Sequence, residues 1–323
     1  MGRDLNTTLG MTTLERAATP TLLAIGNFDG VHRGHQQVLQ PILQGTAGIK
    51  TVLTFDPHPR QVFSRQPYPL LTPLSEKIQI LTHLGIEQVV VLPFTPELAQ
   101  ATASQFLQQV LQQRLQPLGV SVGWDFCFGS QRSGNAQVLR AWGQEQGIPI
   151  HVVPEMTWHG HQLRSSRIRH ALAEGNVQHG ADLLGRAYTL VGTVVAGSQR
   201  GRQIGFPTAN LELPPEKFLP RDGVYAGWVT GIGAPQAAVL NIGVRPTVEL
   251  QGSRTVEVHL LDWQGSLYGQ TLEVSLEAFL RPEQRFPSLH ALQKQLHHDC
   301  ELARRLLRGD PQKHWADPCL ENC

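Results

Sequence analysis

Apolar residues gather in five short runs in the first half of the chain: Thr21 to Ile25, Thr51 to Phe55, Gln88 to Leu92, Gly119 to Val122, and Ile148 to Val153. Most are separated by stretches with helical spacing. In SEKIQILTHLG the marks are Ile78 and Leu81; in ASQFLQQVLQQRLQ they are Phe106, Val110, Leu111 and Leu115, the interval of an amphipathic helix. Alternating strands and helices predict an α/β domain built on a parallel, doubly wound sheet. Ligands bind such sheets beyond the carboxyl ends of the strands, which directs attention to the polar segments that follow three of the runs, GNFDGVHRGH, DPHPR and WDFCFGSQRSGN.

After GNVQHGADLLGRAY the pattern changes to short alternating strands divided by Gly, Pro and Asn: YTLVGTVVAG, VYAGWVTG, QAAVLNIGV, RTVEVHLLDW and TLEVSLEAFL. Regular short strands without helices between them predict a closed, antiparallel β-barrel. One helix follows in SLHALQKQLHHDCELARRLL, with Ser288 placed to cap it, Gly309 and Pro311 placed to stop it, and an apolar stripe of Leu289, Leu292, Leu296, Ala303 and Leu307 to lie on the barrel. The expected domains are residues 18–180 and 185–309, with the boundary near 178–186 and a mobile tail over 310–323.

Composition narrows the function. The 27 Lys and Arg residues are matched by 26 Asp and Glu residues, whereas a protein that tracks nucleic acid usually carries a basic excess. No apolar signal core opens the chain and no run reaches the length of a membrane span, so a cytoplasmic protein without a nucleic-acid or membrane partner is expected. Cys127, Cys300, Cys319 and Cys323 form no metal-ligand pattern and read as reduced thiols.

In GNFDGVHRGH the first strand ends, Gly26 and Gly30 permit a tight turn, and His32 and His35 open a helix about one turn apart. A helix start of this kind suits phosphate: backbone N–H groups face an anion, and each imidazole can donate to a phosphoryl oxygen. The pair also fits half of a metal site, for which Asp29, Asp56 and His58 are the remaining candidate ligands. Pro41 should kink the helix that follows. Farther on, Ser165 and Ser166 followed by Arg167 and Arg169 read either as a capped helix start with cations for a triphosphate or as an N-capped surface helix.

These segments, with TFDPHP, GWDFCFG and SSRIRHAL in order over about residues 20–175, resemble the FMN adenylyltransferase half of bacterial FAD synthetases, nucleotidyltransferases marked by a His-x-Gly-His signature. The resemblance implies ATP contacts at Gly26, Phe28, Asp29, His32, His35, Ser165, Ser166 and Arg169, and an FMN pocket at Asp56, His58, Asp125 and Asn135. Where the family usually reads Ser-Ser-Thr-x-Ile-Arg, Arg164 stands in the first position. The implied chemistry is attack of an FMN phosphate oxygen on the α-phosphorus of ATP, a matter of alignment and charge neutralisation for His32, His35, Arg169 and the Mg²⁺ carried on ATP.

In the second half, GTVVAGSQRGRQIGFPTAN is not a Walker motif, because no Gly-Lys-Thr follows its glycines. It does place Gly192, Gly197, Gly201 and Gly205 around an Arg-rich turn suited to phosphate. Thr208 and Asn210 then offer neutral oxygens on one face of an extended chain, a donor set that suits Mg²⁺. In TVEVHLLD, Glu257 and His259 share the face opposite Val256, Val258 and Leu260, so Glu257 is either a base held on a rigid strand or an exposed strand carboxylate. Together GRQIGFPTAN, NIGVRPTV, VEVHLLD, LYGQ and LRPEQRF resemble the riboflavin kinase domain of the same enzymes over about residues 186–305. That likeness implies ATP contacts at Gly197, Arg202, Thr208 and Asn210, Mg²⁺ on Thr208 and Asn210, activation of the flavin 5′-hydroxyl by Glu257, and cover of the flavin ring by Arg281 and Phe286.

The expected activity is therefore conversion of riboflavin to FMN and of FMN to FAD, with riboflavin, FMN, FAD and ATP as small-molecule partners. A nucleotidyltransferase for another phosphate leaves GFPTAN and the barrel without a purpose. A flavin sensor without catalysis would be favoured by loss of His32, His35 or Glu257, and all three are present.

Overall fold

The computed structural model describes residues 11–64, 67–158, 160–197, 200–244 and 254–308. The chain divides into two compact units between Ser165 and Ser166, earlier than the boundary read from the sequence.

In the first unit the strands are β1 (Met11–Thr12), β2 (Thr21–Ile25), β3 (Ile49–Asp56), β4 (Gln88–Pro93), β5 (Pro117–Gly123), β6 (Cys127–Phe128), β7 (Gly134–Asn135), β8 (Ile150–Val153), β9 (Thr157–Trp158) and β10 (His161–Gln162). Six of them form a sheet in the order β1-β4-β3-β2-β5-β8, all neighbours parallel. The five expected runs are all present; β1 is an addition, a two-residue strand too short to show any period. Successive side chains feed opposite faces. Leu23 and Ile25 join a core with Val120, Phe106, Leu111 and Leu139, while Ala24 joins Leu39, Ile42, Ile78 and Leu81 on the other side. Helices thus cover both faces, as a doubly wound sheet requires.

Two helices differ from their simple expectation. Ala103–Gln105 continues into a π-type helix over Phe106–Leu115, and the reason is visible in the sequence: burying Phe106, Val110 or Leu111, and Leu115 on one line asks for turns of four to five residues rather than 3.6. The helix Arg33–Gln44 runs through Pro41, and near it the buried Ser121 hydroxyl on β5 donates to the Val38 carbonyl at 2.7 Å.

In the second unit β11 (Tyr188–Val195), β12 (Ala209–Glu212), β13 (Gly223–Thr230), β14 (Gln236–Val244), β15 (Arg254–Leu260) and β16 (Thr271–Arg281) close an antiparallel barrel in the order β11-β12-β15-β14-β13-β16. Closure leaves no free edge to cover. The helices Ser165–Ala173 and Val177–Leu184 accompany this unit: Arg221 N–H donates to the Leu172 carbonyl, and Ile168, Leu172, Leu183 and Leu184 are buried. The helix Leu289–Leu306 starts on the Ser288 cap, whose hydroxyl accepts from Ala291 N–H at 3.1 Å. Its buried side is Asp299, Cys300, Ala303 and Leu307, whereas Leu289 is 59% exposed and does not belong to the stripe. Gly309, Pro311 and the tail over 310–323 lie outside the described residues.

Candidate active sites

The chain leaves β2 for β3 and β4 on one side and returns to β5 and β8 on the other, so the topological switch lies between β2 and β5. A crevice is expected there at the carboxyl ends. The loop after β2 occupies this position and has an unusual backbone, with Phe28, Gly30 and Val31 at φ 49, 91 and 41°. Non-glycine residues in the left-handed region cost about 1–3 kcal/mol each and persist only where surrounding contacts impose them. Those contacts are specific. Gly30 N–H donates to Thr72 Oγ1 at 2.9 Å, Thr72 N–H donates to the Asp29 carboxylate at 3.2 Å, Ser165 Oγ donates to the Asp29 carbonyl at 2.9 Å, and Thr54 Oγ1 donates to the Asn27 carbonyl at 3.2 Å. Gly26 lies against the Phe28 ring, 3.2 Å from where a Cβ would stand.

His32 caps the helix Arg33–Gln44: its Nδ1 accepts from His35 N–H at 3.3 Å. An accepting Nδ1 places the proton of the neutral ring on Nε2. The His35 ring stacks on His32 with centroids 3.7 Å apart, and the edge of the buried Phe28 meets it at 5.4 Å. The two histidines and the loop are therefore brought together as expected.

Other expected positions carry local duties. Asp56 ends β3 and is exposed; the buried His58 caps the helix Pro59–Phe63, accepting from Arg60 N–H at 3.1 Å, and stacks on Tyr68 at 5.0 Å. Asp125 lies in the turn after β5. Asn135 follows on the small β6–β7 hairpin, and its Oδ1 caps the helix Ala136–Gln146 by accepting from Gln137 and Val138 N–H. Arg164 pairs with Glu155 at 2.7 Å and lies over Trp124, and Arg33 lies 4.3 Å over Trp158. Ser165, which with Ser166 was read as a capped helix start, opens the helix Ser165–Ala173 and donates its hydroxyl to the Asp29 carbonyl. Ser166 and Arg169 lie in the helix Ser165–Ala173 and belong to the second unit.

Sequence reasoning passed over Lys77. It is 3% exposed, its Nζ donates to Thr54 Oγ1 at 3.3 Å, and burial pushes its ammonium below the ordinary lysine range while the charges of Asp29 and then Asp56 pull it back up.

In the second unit the barrel wall and the last helix border a cavity of about 350 Å³ lined by Gly201, Phe206, Thr208, Asn241, Glu257, His259, Arg281, Glu283, Phe286, Leu292, Leu296 and Cys300, among others. The size is that of a small-molecule site. On β15 Glu257 stands opposite Asn210 of β12 and Asn241 of β14, so three polar side chains share a face. Thr208 Oγ1 donates to Glu257 Oε2 at 3.3 Å. Gly197 makes room for Asn210, whose Nδ2 lies 2.0 Å from where a Cβ would stand. His259 Nδ1 lies 2.8 Å from the Pro207 carbonyl, an acceptor only, so Nδ1 carries the proton and ties β15 to the GFPT segment. Arg202 sits in the short helix Arg200–Gln203 on the same glycine-rich turn.

Arg281 and Phe286 both line the cavity, with the guanidinium 5.7 Å over the ring. The guanidinium is also held by Asp299, which is 1% exposed: Nε donates to Oδ1 and Oδ2 at 3.1 and 3.0 Å, Nη2 to Oδ2 at 2.8 Å, and Gln295 adds a bond at 2.8 Å. Sequence reasoning passed over this anchor, although Asp299, three residues after Leu296 and four before Ala303, falls in register with the apolar stripe and a carboxylate there was the available signal. Among the described residues no cluster of three or more His, Cys, Asp or Glu side chains forms a metal site.

A family model for FAD synthetase matches residues 14–167, and one for riboflavin kinase matches residues 184–307. The bifunctional riboflavin kinase/FMN adenylyltransferase of Escherichia coli (strain K12) is 40% identical over 296 residues, covering 89% of this chain and 93% of that protein. The chain belongs to the bifunctional riboflavin kinase/FMN adenylyltransferase family. The family's enzyme from Pseudomonas fluorescens is 36% identical over 285 residues, 87% of this chain and 91% of that one. A solved structure described as a macrolide-efflux protein from Streptococcus pneumoniae is similar at a TM-score of 0.81 and 28% identity, covering 91% of this chain and 99% of that one. Among the described residues of this chain, no helix is long and apolar enough to cross a membrane. The two family regions follow the order read from the sequence, the adenylyltransferase sheet first and the kinase barrel second.

Proposed function

We propose that the two sites act in series, the barrel making FMN from riboflavin and the sheet domain making FAD from FMN, each with ATP. The observation that carries this reading is that the sites differ as the two reactions differ. Riboflavin presents a neutral hydroxyl, and the cavity presents Glu257, a carboxylate held at 3.3 Å by Thr208 and flanked by two asparagines. Glu257 takes the 5′-hydroxyl proton as the oxygen attacks the γ-phosphorus, and ADP leaves. FMN presents a phosphate that is already anionic. Its site accordingly offers donors in His32 and His35, the former with its proton on Nε2, beside the loop of Gly26, Phe28 and Asp29 that the ATP would contact. A phosphate oxygen attacks the α-phosphorus of ATP, and pyrophosphate departs as charge grows on oxygens that these groups face.

The remaining residues have positioning roles. Thr208, Asn210, Gly197 and Arg202 hold the kinase ATP, while Arg281, anchored by Asp299, and Phe286 bound the flavin. Asp56, His58, Asp125 and Asn135 border the FMN pocket. Thr208 and Asn210 beside the Glu257 carboxylate form an oxygen donor set that fits Mg²⁺, and Gly197 leaves room for the Asn210 side chain. Bound with ATP, Mg²⁺ would neutralise phosphate charge. We read the protein as cytoplasmic, with small molecules rather than nucleic acid or membranes as its partners.

Purified protein incubated with riboflavin, ATP and Mg²⁺ and followed by chromatography should accumulate FMN first and FAD after it. Neither product from folded protein would overturn the reading. FMN without FAD, also when FMN is supplied, would remove its adenylyl-transfer half.

A further inference from the structure

Lys77 is a buried cation without a part in the chemistry above. If it only filled space, a methionine of similar length would do so without the cost of burying an ammonium. Its surroundings give it a task. It lies in the helix Leu74–His83, and the two carboxylates whose charge acts on it, Asp29 and Asp56, come from the carboxyl ends of the neighbouring strands β2 and β3. Its one described hydrogen bond reaches Thr54, and Thr54 in turn donates to the Asn27 carbonyl, the residue before the strained Phe28.

We infer that Lys77 is a positioning residue of the adenylyl-transfer site, locking the 26–32 loop through Thr54 and balancing the charge of the buried Asp29 beneath the polyphosphate. The inference rests on the proposed adenylyl-transfer role of that loop. Two non-glycine residues at positive φ, Phe28 and Val31, must be held by contacts that outweigh their strain, and the Lys77–Thr54–Asn27 chain holds the loop at its first residues while the Asp29–Thr72–Gly30 bonds hold its middle. Without the ammonium, the charge of Asp29 is less well balanced under a loop that has to accept a triphosphate. The loop contacts ATP before and during the reaction, so the loss falls chiefly on KM for ATP.

The test is steady-state FAD formation from FMN and MgATP by the full chain, with thermal unfolding as the folding control and FMN formation from riboflavin on the same preparation as the measure of the other site. Lys77→Met is expected to raise KM for ATP about tenfold or more in FAD formation while FMN formation stays at the wild-type rate. In an Asp29→Asn background the added penalty of Lys77→Met should shrink, because the charge it balanced is gone. Unchanged KM and kcat for FAD formation in folded Lys77→Met protein would overturn the inference, as would a penalty of equal size in the Asp29→Asn background. If Lys77→Met does not fold, Thr54→Val breaks the same chain while keeping the ammonium under the charges of Asp29 and Asp56: a several-fold rise in KM for ATP supports the inference, and an unchanged KM overturns it. Failure of the wild-type chain to make FAD would instead strike the functional reading on which the inference rests.

Discussion

The two sites meet the same ligand, ATP, with different materials. In the sheet domain the proposed ligand end is a backbone device, a loop with Phe28 and Val31 at positive φ beside two stacked imidazoles, with its carboxylate, Asp29, buried 3% exposed in a bond to Thr72. In the barrel the ligand end is a side-chain device, a cavity of about 350 Å³ with Glu257 in its wall and its strand partners all in ordinary extended backbone. The difference follows the nucleophile. An anionic phosphate needs donors and a place for charge, whereas a hydroxyl needs somewhere to send its proton.

The largest effect should come from removing that base. Glu257→Gln keeps the shape of the wall and deletes the carboxylate, so FMN formation should fall by about a hundredfold or more while FAD formation from supplied FMN continues. Near-wild-type FMN formation would return Glu257 to an ordinary strand carboxylate.

A smaller effect should follow from Asp299→Ala, which strands the Arg281 guanidinium against the cavity. Breaking a buried pair costs ~3–5 kcal/mol, and we discount this to about 2–3 kcal/mol because Arg281 keeps some contact with water. Denaturant unfolding measures the cost, and KM for riboflavin should rise as Arg281 loses its anchor. Unaltered stability and KM would show that the pair is incidental.

The smallest effect concerns Cys300, on the cavity wall, where burial pushes the thiol up to about 11. The unfolded thiol ionises near ~8.5. Stability from the buried thiol is therefore fully present below that value and is lost as pH rises through about 11. In native protein at neutral pH Cys127 should be alkylated well before Cys300, and peptide mass mapping over a pH series would show it. Early labelling of Cys300 would mean that the cavity wall opens readily.

Both architectures were legible because strand alternation and helical spacing run for several residues at a time. His32 and His35 were placed by where the first run ended, Thr208 and Asn210 by their spacing in an extended segment and Glu257 by alternation within its strand, while their roles came from the family resemblance. What escaped was polar and buried. Lys77, three residues after Leu74 and four before Leu81, and Asp299, three after Leu296 and four before Ala303, fall in register with apolar stripes that were counted from apolar residues alone, so a charge on the buried side was the signal passed over. β1 escaped because two residues carry no period. The helix Ser165–Ala173 was expected with the first domain because its motif belongs there, whereas its buried side chains and the Leu172 carbonyl accompany the barrel unit.

The most direct measurement takes Glu257→Gln and His35→Ala side by side, each folded by thermal denaturation, and determines both rates, FMN from riboflavin and FAD from FMN, on each preparation. The account predicts crossed losses of about a hundredfold or more, FMN formation failing only in Glu257→Gln and FAD formation only in His35→Ala. A folded variant that loses both rates together, or His35→Ala that still makes FAD at the wild-type rate, would contradict it.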